Sequence, residues 1–276
     1  MIAKVPPPKV SVTRRRVRDG SISGGERIVA EETAVALAYD GAAEVVMMAT
    51  PADLEDFAVG FSLTEGIVAS PREIAEIEIA PQQDGIVLRI WLTAERRDGM
   101  ERRRRKRAGP VGCGLCGIES LADAARSLPK IKSALRIDAA EIVTAMRALS
   151  EKQTLNKAAH AVHAAGFYMP GEGIVAVRED VGRHCALDKL AGALAREGRK
   201  PSTGAILLTS RVSVEMVQKA AMIGAPVIAA VSAPTALALR TAETAGITVA
   251  GIVRDDGLEI FTCPERILAS ELHHAD

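Results

Sequence analysis

The sequence predicts an α/β fold in which an open, largely parallel sheet, covered by helices on both faces, follows a smaller α+β unit. Two observations carry this. From about residue 166 onward, short apolar runs rich in β-branched residues alternate with stretches of helical periodicity, as strands joined by helical crossovers do. Before residue 93, apolar runs are joined instead by tight turns around a single helix. The composition agrees: 48% hydrophobic and 25% charged over 276 residues, an ordinary globular balance with ample core.

Residues 1–30 hold Pro6, Pro7, Pro8 and the basic cluster Arg14, Arg15, Arg16, and read as a flexible N-terminus without a signal-peptide apolar stretch. Residues 31–92 read as the α+β unit. Val35 to Tyr39 and Glu44 to Ala49 pair across Asp40 and Gly41, a hairpin signal. Thr50, Pro51 and Asp53 suggest a helix start, and Leu54, Phe57, Ala58 and Phe61 recur at helical spacing up to Gly66. Ile74, Ile77 and Ile79, then Ile86 to Leu92 across Asp84 and Gly85, suggest a second hairpin. Residues 93–117 read as a flexible basic linker and cysteine loop. They carry six adjacent cations, Arg102 to Arg107, which repel each other and bury nothing.

Residues 118–276 read as the C-terminal α/β domain. Ile118, Leu121, Ala125 and Leu128 keep helical spacing, and Asp138 with Glu141 forms a capping-box start. Strand-like runs follow at Ile174 to Val177, Ala205 to Thr209, Val227 to Val231 and Ile247 to Val253. Helical stretches at Ala186 to Arg196, Val214 to Ile223 and Thr235 to Ala245 separate them.

Several classes are excluded early. Thirty-five Lys and Arg balance thirty-five Asp and Glu, and only 3% of residues are aromatic, which argues against a nucleic-acid coat. The longest uncharged run, Ala220 to Leu239, is broken by Gly224, Pro226 and Pro234, so no membrane span is expected. Four cysteines in so long a chain do not make a secreted disulfide scaffold, and a soluble cytoplasmic protein is expected.

Cys113 and Cys116 form a C-x-x-C flanked by Gly112, Gly114 and Gly117. The glycines leave sulfur unshielded and free backbone N–H groups to face it. A helix beginning near Ile118 points its positive end at the pair, and the arginine run lies just upstream. All three favour thiolate, the nucleophilic form. Three chemistries compete: half a zinc site, a redox dithiol, and a sulfur relay in which one cysteine carries a persulfide. Zinc needs two more ligands, and Cys185 and Cys263 are isolated, leaving only His160 and His163 as partners. A redox pair usually follows the first strand of a βαβ unit. The relay, which wants an accessible thiolate on a loop able to visit two partners, matches the context best.

Four polar clusters sit at the expected strand ends: Arg178 to His184, including Arg183; Thr209 to Ser213, including Ser210 and Arg211; Ser232 to Thr235; and Arg254, Asp255, Asp256 and Gly257. Hydroxyls, glycines and arginines ahead of helix N-termini suit phosphate or another anion. Singly, Ser213 and Thr235 read equally as helix caps, and Asp255 to Gly257 as a hairpin turn. Together the clusters suggest a large anionic ligand such as a nucleotide-bearing cofactor. No P-loop string occurs, and the one G-x-G-x-x-G match, Gly112 to Gly117, follows a charged linker rather than a strand.

Taken in order, these segments resemble the FdhD family of formate dehydrogenase accessory sulfurtransferases. The likeness runs from about Glu32 to Ile267 and rests on Thr50 to Phe61 with Thr64 to Gly66, Gly112 to Gly117, His163 to Ala165, Arg178 to His184 with Asp188 and Lys189, Thr209 to Glu215, and Ser232 to Thr235. Cys185 stands where the family pattern has Asn, and Phe261 where it has Tyr.

The resemblance implies a cytidine-deaminase-like, three-layer C-terminal domain and a homodimer. It implies that sulfur is taken as a persulfide from a cysteine desulfurase. That sulfur then passes to the molybdenum or tungsten bis-guanylyl pterin cofactor, Mo-bis(molybdopterin guanine dinucleotide), bound as substrate before it enters formate dehydrogenase. No metal of the protein's own is implied. Cys113 maps onto the persulfide carrier. On chemical grounds Cys116, three residues on, is the candidate to attack Cys113 and release the sulfur, leaving a disulfide. Ile252, Val253, Arg254, Asp255, Asp256 and Gly257 map onto the cofactor loop. Arg211 and Arg254 are the phosphate candidates, Ser210, Ser213 and Thr235 hydrogen-bond donors, and His163, Arg183 and His184 further pocket residues. The zinc-deaminase signature is absent, so no deamination is expected. Two alternatives stand beside the relay: a non-covalent cofactor-binding chaperone, and a zinc-stabilised interaction module.

Overall fold

A computed structural model describes residues 3–96 and 127–269. It opens on a hairpin, β1 (Lys9–Arg18) and β2 (Ser21–Ala30), paired antiparallel along its whole length. The turn is Asp19 and Gly20, both at positive φ (49° and 75°), the geometry that matches strand twist in a two-residue hairpin. These residues were expected to be part of a flexible N-terminus. They form a regular ladder instead, and the polar, arginine-rich strands hid it because neither face alternates apolar with polar.

The first core lies under a four-stranded sheet ordered β4-β3-β6-β5. Its strands are β3 (Thr33–Tyr39), β4 (Ala42–Ala49), β5 (Ile74–Gln82) and β6 (Gly85–Leu92). Both expected hairpins are present, and β3 and β6 run parallel between them. Val35, Leu37 and Tyr39 share one face with Ile86, Leu88, Ile90 and Leu92, and bury against Leu54, Phe57 and Phe61 of α1 (Leu54–Thr64). Each such side chain contributes about 1.5–3 kcal/mol by leaving water. The helix starts later than the Thr50-Pro51 signal suggests. Asp53, at φ 52°, occupies the N-cap position, and Thr50 is used elsewhere.

The second sheet is ordered β13-β12-β11-β10-β8-β9. Its strands are β8 (His163–Met169), β9 (Gly173–Asp180), β10 (Ala205–Leu208), β11 (Val227–Ala230), β12 (Thr248–Arg254) and β13 (Gly257–Thr262). Only the β10–β11 and β11–β12 pairs are parallel, whereas the β10–β8, β8–β9 and β12–β13 pairs are antiparallel. The sheet is therefore mixed rather than largely parallel. The strand that reverses it, β8, escaped the pattern because Ala164, Ala165 and Gly166 carry no β-branched signal.

Period-two alternation splits the strands between two helical layers. Ile206 and Leu208 face α4 (Arg183–Arg196), α5 (Val214–Ile223) and α6 (Ala236–Ala245). Ala205 and Leu207 face α2 (Ala139–Lys152). This is the three-layer α/β arrangement expected of the C-terminal part. The capping box at α2 forms as read: Asp138 accepts from Ala140 N at 2.8 Å, and Glu141 accepts from Asp138 N at 3.2 Å. A short α3 (Thr154–Ala159) follows α2, and β7 (Ile137–Asp138) pairs with β14 (Ile267–Leu268).

The two cores are joined where α1 crosses α4. A Cβ on Gly60 would lie 1.7 Å from Asp188 O, and one on Gly192 would lie 1.9 Å from Asp56 O. Only glycine permits the helices to approach so closely. Phe57 and Phe61 meet edge to face beside the crossing, with ring centroids 6.3 Å apart. No helix among the described residues is long and apolar enough to cross a membrane.

Candidate functional site

Because β10, β11 and β12 are parallel, their C-terminal ends lie on one edge. Antiparallel β8 begins on that edge and β9 ends there, with His163 opposite Asp180. The Thr209 hydroxyl accepts from Ala164 N at 2.8 Å, and Val231 N donates to Leu208 O at 3.1 Å. All four polar clusters thus meet at one edge of the sheet. The Cys113 and Cys116 positions lie outside the described residues.

The cluster residues differ in what they are already doing. Thr235 is committed locally, its hydroxyl capping α6 by accepting from Ala238 N at 3.3 Å. Ser210 donates to Arg211 O at 3.1 Å. Ser213 occupies the N-cap position of α5 without capping it through its side chain. Arg254 donates to the carbonyls of Val231 and Val253, sealing the end of β11. Asp255 pairs with Arg147 of α2 at 2.9 Å, and with Asp256 it makes the turn into β13. Arg211 is exposed and holds no acidic partner among the described residues. Arg183 is half-buried, and its Nε has no partner.

The 252–257 loop is irregular for a specific reason. Between the Gly251–Glu259 and Arg254–Gly257 pairs, Ile252 and Val253 oppose Leu258 alone, which is a β-bulge. Ile252 sits at φ 51°, a conformation that is strained for a β-branched residue and that clusters at functional sites. Just before it, Gly251 lets Phe261 and Pro234 close in on the backbone, since a Cβ there would meet both at 3.0 Å.

Two imidazoles border this edge. Burial, then the neighbouring Arg183 and Lys219, push the His184 pKa down to about 4. His184 Nε2 and Glu215 Oε2 lie 4.0 Å apart. Burial and Arg183 also lower His163, with Asp180 opposing. Both rings are therefore neutral near pH 7 and serve as hydrogen-bonding groups rather than cations.

Buried ion pairs hold the turn that carries Arg183 and His184. Asp180 Oδ1 accepts from Gly182 N at 2.8 Å, and its Oδ2 accepts from Thr50 N at 3.0 Å and Lys189 Nζ at 2.6 Å. Lys189 also donates to Thr50 O at 2.8 Å, and the Thr50 hydroxyl accepts from Val181 N at 3.1 Å. Immediately before Lys189 in α4, Asp188 accepts from Lys219 at 2.9 Å and from the Thr64 hydroxyl at 2.6 Å, and Lys219 reaches Glu65 at 2.7 Å. Burial raises the pKa of both aspartates, and their lysines pull back part of that rise. Cys185 lies in the first core, its thiol donating to Met48 O at 3.7 Å, and burial pushes its pKa well up. It is not a thiolate.

Sequence reasoning assigned no role to Asp180, Asp188, Lys189, Lys219 or Glu215. The available signal was charge inside otherwise apolar helices: Asp188 and Lys189 in α4, Lys219 in α5.

The FdhD/NarQ family model matches residues 30–268. The chain belongs to that family. The span matched to the FdhD/NarQ family includes Cys113 and Cys116. A relative from Agrobacterium fabrum named "Sulfur carrier protein FdhD" is 53% identical over 93% of this chain and 95% of its own length. Another of that name, from Cupriavidus necator, is 47% identical over 95% of this chain and 91% of its own length. Among solved structures, a putative formate dehydrogenase accessory protein from Desulfotalea psychrophila has the same fold, with a TM-score of 0.74 and 27% identity. That alignment covers 95% of this chain and 100% of the other.

Proposed function

We propose that this FdhD/NarQ protein is a cytoplasmic sulfur carrier for formate dehydrogenase maturation. It takes sulfur at Cys113 from a cysteine desulfurase and gives it to a bis-guanylyl molybdenum or tungsten pterin cofactor bound at the polar sheet edge. The observation that carries this reading is the gathering of Arg183, Arg211 and Arg254 with two neutral imidazoles at one edge, in a chain whose relatives are named sulfur carriers. Phosphates suit the arginines, and the bulged 252–257 loop shapes the rim.

In the loading step, the Cys113 thiolate attacks the outer sulfur of the donor persulfide, and the donor thiolate leaves, so no net oxidation occurs. In the delivery step, Cys116 attacks Cys113 Sγ and releases the outer sulfur as hydrosulfide to the cofactor metal. The resulting disulfide is reset by a thiol reductant.

Incubation with a cysteine desulfurase and cysteine should add about 32 Da, one sulfur atom, and Cys113→Ala should abolish the adduct. An adduct of the same yield in that variant overturns the assignment. A chaperone reading draws on the same arginines without the cysteines. It predicts that a Cys113→Ser, Cys116→Ser double variant still matures the dehydrogenase.

A further inference from the structure

All of the β1–β2 hairpin except Ala30 lies ahead of the span the family model matches, and the sulfur chemistry leaves it without a task. Its ladder closes at the base with Glu31 N donating to Pro8 O at 3.0 Å, and β2 packs there on α3. α3 is itself pinned to the end of β9, where Glu179 accepts from Leu155 N and Asn156 N, both at 2.8 Å. The arm is therefore rooted beside the polar sheet edge, next to Asp180.

Strand parity sorts its side chains. Arg14, Arg16 and Arg18 fall on one face, spaced about 6.8 Å apart, and Arg27 joins them, directly opposite Val12. The residues opposite the three arginines are Gly25, Ser23 and Ser21, all small; Arg16 and Arg18 are exposed and Arg14 is half-buried. None of the four has an acidic partner among the described residues. The other face carries exposed Arg15, Glu26, held by Ser11 at 3.0 Å, and the directly opposed pair Val17 and Ile22, each 71% exposed. Isolated two-stranded hairpins are marginal in water, so a bare apolar pair at such a tip points to a partner.

We propose that this arm docks the carrier onto an acidic cleft of the apoenzyme that receives the cofactor, its arginine row meeting carboxylates and Val17 with Ile22 seating in an apolar recess. The inference rests on the function proposed above. Any protein taking cofactor from the sheet edge must approach the edge where the arm is rooted. The row of Arg14, Arg16 and Arg18 lies opposite the apolar pair while Arg15 lies beside it, so the arm presents cations on both faces, which a cleft can grip together and a flat membrane cannot. The arm has no aromatic residue, so it offers no stacking surface for nucleic acid.

The test measures binding of full-length protein to purified apo-formate dehydrogenase from the same organism, at low and high salt. An Arg14→Glu, Arg16→Glu, Arg18→Glu variant should bind about tenfold more weakly or worse at low salt. Val17→Ser with Ile22→Ser should weaken binding at both salt levels, and an Arg→Lys triple variant should retain most of it. Sulfur loading at Cys113 should stay at the parent yield in all three. Unchanged docking by the charge-reversed arm overturns the proposal, as does failure of the parent to bind the apoenzyme. It is also overturned if the variant loses binding only to duplex DNA or to phosphatidylserine vesicles. If the parent does not load sulfur, the carrier function fails, and docking is still read independently.

Discussion

Lys189→Met removes a buried cation and keeps most of its volume. In the parent, Lys189 and Asp180 are both fully buried, 2.6 Å apart, and Lys189 also holds Thr50 O. The variant leaves the Asp180 carboxylate with only the Thr50 and Gly182 N–H groups. Taking one partner from a buried ion pair costs about 3–5 kcal/mol. With a urea dependence of about 3 kcal/mol per molar for a chain this size, the unfolding midpoint should fall by about 1–1.7 M. Trp91, the one tryptophan, lies in β6 and provides the fluorescence signal. Burial already raises the Asp180 pKa, and Lys189 opposes that rise, so loss of the lysine raises it further. A carboxyl with a raised folded-state pKa favours the folded state when protonated and loses that contribution as pH climbs through the folded value. The deficit should therefore grow as pH rises from the unfolded carboxylate value through the folded one, changing by up to about 1.4 kcal/mol per pH unit. A midpoint shift below about 0.3 M, or a deficit that shrinks as pH rises, would refute the role given to this pair.

Gly192→Ala should cost about 3 kcal/mol or more, because the added methyl meets backbone rather than a movable side chain. Gly24→Ala, with nothing within 4 Å, should stay within about 0.5 kcal/mol of the parent by the same denaturation measurement. In an NMR titration His184 should take its proton near pH 4 rather than 6.5. Its lowered pKa favours folding above the unfolded value of 6.5, and that contribution should be lost as pH falls toward 4. Titration at 6.5 or above would show that the ring is not desolvated. Thr235→Ala should lower stability by about 1 kcal/mol through loss of the α6 cap. Arg211→Ala should leave the urea midpoint unchanged and weaken GDP binding about tenfold, as read by calorimetry.

Most elements of the two cores were legible because apolar periodicity and turn chemistry agreed. Asp40 with Gly41 and the Asp138–Glu141 box act where their chemistry says, and the second hairpin turns one residue earlier than read, at Gln83 and Asp84, with Gly85 already paired to Gln82. The failures share a cause, which is that the deciding interaction lies far away in sequence. Thr50 reads as a cap, yet its partners are Val181, Asp180 and Lys189. β8 has weak intrinsic strand character and is fixed by its neighbours β9 and β10. The polar edge could be anticipated from strand ends, but which hydroxyls are free could not. Thr235 and Ser213 look alike in sequence, and only the first spends its hydroxyl on its own helix.

At the α1–α4 crossing backbone rests on backbone, so no rotamer is available there to absorb slip. Thr50 adds a second tie, from the end of β4 to the turn that presents Arg183 and His184, so the outer four-stranded sheet and that turn share a fixed frame.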